Sequence, residues 1–275
     1  MISPRKKVVM YVIMVIVTTL MVFPFAWMLM LSLKTNNEIM TSPLTLPKTL
    51  NLENFKNALN TLNYAQLYGN TLFICAISLV FELVITFLSS FVIARMEFSD
   101  KVRSKLYGFL ILGLSISPFI LLFPVYKINV LLHLKGKLAL IFPYVATSIS
   151  FNTLLLVGYM KTLPSEIDEA GVIDGCRLWD LIIKVILPIT KPVIATIVIF
   201  NVLYIWNEFP FASVMLREVS DYTLSMGASF FKGKYSVDYG GIIASSIMII
   251  VPELIFYGLF QKNIVDGMTS GAVKG

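Results

Sequence analysis

Histidine is nearly missing from this chain, and charge is scarce. His133 is the single histidine in 275 residues, cysteine occurs only at Cys75 and Cys176, and charged residues make up 14%. Each shortage excludes a class of chemistry. One histidine in a short connection cannot build a His/Cys metal cluster. The two cysteines lie on different elements without a CxxC spacing, so neither a disulfide nor a metal site is expected. A Ser–His pair or two acids at one membrane depth is also lacking, so no catalytic residue is assigned. The nearest approach to a nucleotide-binding loop, Gly227 to Lys234, has the wrong spacing for one. No cofactor of the chain's own is expected, and tandem repeats and low-complexity tracts are absent.

What the chain has in excess is apolar sequence, 57% of its residues. A single soluble core of this length cannot hide that much apolar surface. Apolar stretches recur at about 9–30, 71–94, 106–126, 138–160, 192–215 and 242–260. Each approaches the ~20 residues that cross a ~30 Å hydrocarbon core as helix, and none alternates as a barrel strand would. The expected fold is an all-α polytopic membrane protein with six transmembrane helices, embedded in lipid as one domain over 1–275. Arg5, Lys6 and Lys7 precede the first run, which reads as a retained span and puts the N-terminus, and after six spans the C-terminus, in the cytoplasm. Inner segments then hold thirteen Lys and Arg and outer segments nine. The net charge of +6 is scattered over loops on both sides, which fits membrane flanks rather than a nucleic-acid surface.

Several residues stand out along the spans. Pro118 and Pro124 in the third, and Pro143 in the fourth, release backbone carbonyls that a pore or ordinary helix packing must satisfy. Glu82 in the second span and Glu253 in the sixth are expected to face the bundle interior, as packing groups or as part of a path. The fifth span carries Asn201, Tyr204, Trp206, Asn207 and Glu208. Asn201, Tyr204, Asn207 and Glu208 are candidates for a solute path, since amide, carboxyl and aromatic groups suit sugars. An interfacial aromatic belt accounts for the same set. Outside, residues 54–59 have the pattern of a short amphipathic helix at the membrane interface.

Residues 163–190 are the one long stretch rich in both acids and bases, and they lie between spans four and five. Such a segment must face water. Ser165 has the position of a helix cap with Asp168 in the capping-box slot, a helix is expected to about 173, and Gly175 ends it. From Arg177 to Leu187 a second helix carries Trp179, Ile182, Ile183 and Ile186 on one stripe. The result is a helix–turn–helix elbow with Glu166, Glu169, Asp174 and Asp180 exposed. A solvated connector and a dock for a cytoplasmic partner both fit these residues.

The order Glu169-Ala170-Gly171, Asp174-Gly175-Cys176, Leu187-Pro188 and Pro192 resembles the signature of permease subunits in carbohydrate ABC importers of the maltose-transporter type. Phe23 to Met28, Asn54-Phe55, Ala94 to Phe98, Trp206 to Phe209 and the tail 267–275 extend the likeness over nearly the whole chain. The resemblance implies a heterodimer with a second permease, a cytoplasmic ATPase dimer that binds the ATP, and an extracytoplasmic sugar-binding protein. It implies residence in a prokaryotic plasma membrane, and a coupling segment whose ATPase seat is Glu169, Ala170, Gly171, Asp174 and Gly175. The tail would also reach toward the ATPases. Gly171 and Cys176 stand where the signature has Ala, both still small. The alternative reading is an ion-coupled secondary sugar transporter that needs no ATPase; it would use an intramembrane relay and usually an internal repeat.

Overall fold

The structure, a computed structural model, describes residues 3–233 and 237–270. In chain order the helices are α1 (Pro4–Ser32), α2 (Asn36–Thr41), α3 (Glu53–Thr61), α4 (Tyr64–Arg95), α5 (Asp100–Ile111), α6 (Pro118–Leu131), α7 (Leu138–Met160), α8 (Glu166–Ile173), α9 (Leu178–Ile189), α10 (Lys191–Asn207), α11 (Pro210–Met215) and α12 (Tyr239–Ser270). Among the described residues no strand forms, and the expected all-α class holds. The last residues of the tail expected to approach a partner, 271–275, lie outside the described residues.

Four helices, α1, α4, α7 and α12, are long and apolar enough to cross a membrane unbroken. Two further candidates are bent pairs: α5 with α6, at 103°, and α9 with α10, at 72°. The expectation of one continuous helix over 106–126 is therefore corrected. The chain leaves α5 through a 3-10 turn, Leu112–Ser115, and Ser117 is extended, at φ −65° and ψ 131°. That is the conformation forced on a residue before proline. Pro118 then opens α6, where the missing N–H costs nothing, instead of kinking a longer helix. The fifth stretch, 192–215, is likewise divided. α10 ends at Asn207, and Pro210 opens α11.

Pro143 does lie inside α7. Having no N–H, it leaves the carbonyl of Ala139, one turn earlier, without its helical donor. Asn129 of α6 fills that place, its Nδ2 donating to Ala139 O at 2.8 Å. A buried amide thus supplies what the proline removed, as a non-aqueous surround requires.

The helices cluster into two compact units, one of residues 1–64 with 226–252 and the other of 65–225 with 253–275. The first is fastened by polar groups around the end of α1. Lys34 is fully buried, and its Nζ donates to Ser42 O at 2.7 Å and to Thr45 Oγ1 at 3.4 Å. Asn54 Nδ2 donates to Ser32 O and Lys34 O at 2.7 and 2.8 Å. The short helix expected over 54–59 forms as α3, with Asn54 and Ala58 as its buried face and most of its other residues exposed. Asn36 links to Asp238 at 2.8 Å and accepts from Gly240 N at 2.8 Å.

In the second unit α7 is the hub, packed against α5, α6, α10 and α11. Phe87 and Phe91 of α4, Leu156 and Met160 of α7, and Val193 and Ile197 of α10 form an apolar cluster with Leu181, Ile182 and Ile186 of α9. That cluster seats the elbow.

Lys34 yields a test. Lys34→Met removes charge-assisted bonds to a folded-back segment and should cost about 2 kcal/mol. The expected outcome is faster proteolytic cleavage between residues 42 and 50 in the detergent-solubilised protein, with the remaining helices intact.

Candidate functional site

The elbow is set by one turn. α8 ends at Ile173, and Gly175 takes φ +80°, in the left-handed region where a Cβ is penalised. Cys176 N donates to Gly171 O at 2.9 Å and Gly175 N to Val172 O at 3.0 Å. This pair of bonds is the Schellman closure, and it reverses the chain into α9. Gly171 is buried within the turn, where an added Cβ would come within 2.9 Å of Leu181 Cδ1. Its small size serves the contact of α8 with α9.

Two local expectations are corrected. Ser165 makes no side-chain cap, having helical backbone angles itself. Asp168 instead turns to Arg95 at the end of α4, at 2.8 Å. Nor does the second helix carry its four apolar residues on one stripe. Residues Leu181–Ile186 form a π-helical turn, and its wider i→i+5 winding brings positions 181, 182 and 186 to one side. Leu181, Ile182 and Ile186 are accordingly buried, while Trp179 and Ile183 face outward, 61% and 55% exposed.

The outward surface of the elbow is therefore apolar at its tip and acidic at its rim. Val172, Ile173, Leu178, Trp179 and Ile183 are exposed, Ile173 to 85%. Glu166, Glu169, Ala170, Asp174 and Gly175 are exposed around them. Asp180 is half-buried and pairs with Lys184 at 2.6 Å; that contact holds the Asp180 carboxyl below its ordinary range and the Lys184 amine above its own.

The four candidate path residues are placed differently from one another. Asn201 and Tyr204 line one pocket of about 240 Å³ with Pro118, Thr147, Ser148, Phe151 and Phe200. Asn201 Nδ2 donates to Asn152 Oδ1 at 3.0 Å. Glu82, fully buried in the interior, faces Ser148 and Asn201 from behind the pocket. Glu208 belongs elsewhere. Its carboxylate accepts from Phe211 N at 2.6 Å and Ala212 N at 3.1 Å, so it caps α11, and from Tyr144 Oη at 2.6 Å. Asn207 is exposed and donates to Glu253 Oε1 at 2.6 Å. The pocket has aromatic walls and a few short polar groups.

Sequence reasoning missed the role of Arg95, which it counted only as a flanking charge. The available signal was an arginine in the last turn of a helix whose length otherwise belongs to lipid.

Comparison with known families decides the membership. Residues 86–269 match the family of binding-protein-dependent transport system inner membrane components. The chain belongs to this family. It is thus a multi-pass permease component of a binding-protein-dependent importer, and not an enzyme. A trehalose/maltose transport system permease protein of Thermococcus litoralis is 30% identical, over 98% of each chain. A multiple sugar-binding transport system permease protein of Streptococcus mutans is 31% identical, over 96% of each. Among solved structures, a chain of a bacterial ABC transporter involved in alginate import superposes with a TM-score of 0.77 over 95% of this chain and 98% of that one, at 19% identity. That likeness speaks for the fold alone. The matched region includes the elbow and all the residues that line the pocket, and membership sets aside the ion-coupled carrier.

The Glu208 geometry gives a second test. Glu208→Ala strips the cap from α11 and leaves Tyr144 Oη without its acceptor, which should cost about 1–2 kcal/mol. A thermal unfolding midpoint lowered by several degrees in detergent is the expected reading. Glu208→Gln, which keeps one acceptor oxygen, should lie between.

Proposed function

We propose that this permease is one half of an ATP-driven importer for sugars or oligosaccharides, and that its elbow is the seat of an ATPase. In this reading α5 with α6 counts as one span and α10 with α11 as another, giving six, with both termini and the elbow, α9 included, in the cytoplasm. A second permease completes the path as a heterodimer, a sugar-binding protein delivers solute from outside, and the separate ATPase dimer binds and hydrolyses ATP. The sugar class is carried over from relatives named for trehalose/maltose, diacetylchitobiose and multiple sugars.

The observation that carries the ATPase seat is the elbow tip. An apolar patch of Val172, Ile173, Leu178 and Trp179, ringed by acids, is held out from the bundle on a buried base. Exposed apolar patches with polar rims mark partner surfaces. Glu169, Ala170, Asp174 and Gly175 would touch the partner, while Gly171 would act from within, by keeping α8 close to α9. Asn201 and Tyr204 are the path residues this reading favours. Glu208, committed to a cap, would shape the path's wall.

The test is co-purification of the assembled complex from native membranes. Ile173→Glu and Glu169→Lys alter the exposed tip without touching the buried base. Each should lower the recovered ATPase about tenfold or more, the loss expected for an interface anchor worth roughly 1.4–2 kcal/mol. Permease yield and second-permease recovery should stay at the wild-type level. Full ATPase recovery with both variants would refute the elbow as the seat.

A further inference from the structure

The elbow touches the membrane helices through the apolar base of α9 and through polar bonds at its two ends, from Tyr159 Oη of α7 to Ile189 O at 3.1 Å and from Arg95 to the start of α8. Arg95, in the last turn of α4, has its side chain 6% exposed. Its Nη1 donates to Leu163 O at 2.7 Å and Met160 O at 3.2 Å, and its Nη2 to Pro164 O at 2.9 Å. Nη2 also meets Asp168 Oδ2 at 2.8 Å, on a carboxylate 23% exposed. One guanidinium therefore joins three elements: the end of α4, the carbonyls that close α7 and its exit, and the first turn of α8. The planar fork is what makes this possible. Arginine presents several donors in fixed directions, which a lysine ammonium does not. Cation and carbonyls at the C-terminal end of α7, and carboxylate at the N-terminal turn of α8, also match the dipoles of those helices.

The apolar base of α9 resists separation more than sliding, because dispersion contacts have little directionality, and the Tyr159 bond holds only the far end of α9, away from α8. The Arg95 fork fixes direction. Resting on the reading of the elbow as an ATPase seat, we propose that Arg95 is a positioning residue for energy coupling. With Asp168 it locks α8 to α4 and α7, so that displacement of the elbow is delivered to those two helices together. Without the lock the elbow would still dock, but it would shift on its base.

The test measures that shift. Nitroxide labels are placed at Val80→Cys on α4 and Glu166→Cys on α8, both exposed, in a protein whose Cys75 and Cys176 are replaced by Ser. Distance distributions are read by pulsed electron resonance for the assembled complex, nucleotide-free and trapped with ATP and vanadate. With Arg95 intact the distribution should stay narrow and the same in both states. Arg95→Gln and Arg95→Lys should broaden it, and Asp168→Asn, which leaves the three carbonyl bonds in place, should broaden it chiefly in the trapped state. The ATPase should still co-purify with each variant, while binding-protein stimulation of hydrolysis should fall about three- to thirtyfold, the range for residues along a coupling route. A mere folding role would lower thermal stability without making the distance depend on nucleotide.

Narrow, unchanged distributions in all three variants would overturn the proposal. If no ATPase accompanies even the unmutated protein, the seat itself is wrong. The nucleotide-free distances then still decide the lock: broadening with Arg95→Gln supports it, and no broadening refutes it.

Discussion

Burial of Leu181, Ile182 and Ile186 against the ends of α4, α7 and α10 is the contact on which the elbow depends. Each such side chain removed from water stabilises by about 1.5–3 kcal/mol. That is enough to hold two short helices that would not persist alone. The π-helical turn at Leu181–Ile186 is what aims all three inward at once. With them inward, Trp179 and Ile183 are left outward, and the acidic rim follows from the Schellman turn at Gly175. The shape of the exposed tip is thus a consequence of how its base is buried.

A second constraint acts deeper in the bundle. Backbone groups released by proline must find partners inside the protein. Asn129 does this for Pro143, and Glu208 does a corresponding service at the start of α11, accepting from the N–H groups of Phe211 and Ala212 that no preceding turn can satisfy. Both residues read in isolation as polar intruders in apolar sequence. In the fold they repair backbone. Asn201 differs, because its amide joins Asn152 while its side chain also lines a pocket with Tyr204.

Helix content, the long apolar segments and the elbow's existence were legible in the sequence, since length and charge leave few other arrangements. The Gly175 break was legible too, as glycine after a short acidic helix has one common use. What was not legible depended on tertiary contact. Ser165 had the residue type of a cap but its backbone was already helical, and Asp168 was drawn away by Arg95. The stripe through Trp179 to Ile186 assumed α-helical spacing, which the π-helical turn does not keep. Pro118 looked like a kink because a run of apolar residues continues on both sides of it. Glu208 looked like a path residue because its capping targets lie beyond a break that hydropathy does not mark.

The claim at the centre is that the elbow tip meets an ATP-hydrolysing partner. A photo-activatable residue placed at Ile173, activated in intact native membranes, addresses it most directly. The account requires a covalent adduct between this permease and a nucleotide-binding subunit, diminished when the same residue is placed at the buried Ile182. An adduct formed only with lipid, or none at Ile173, would contradict it.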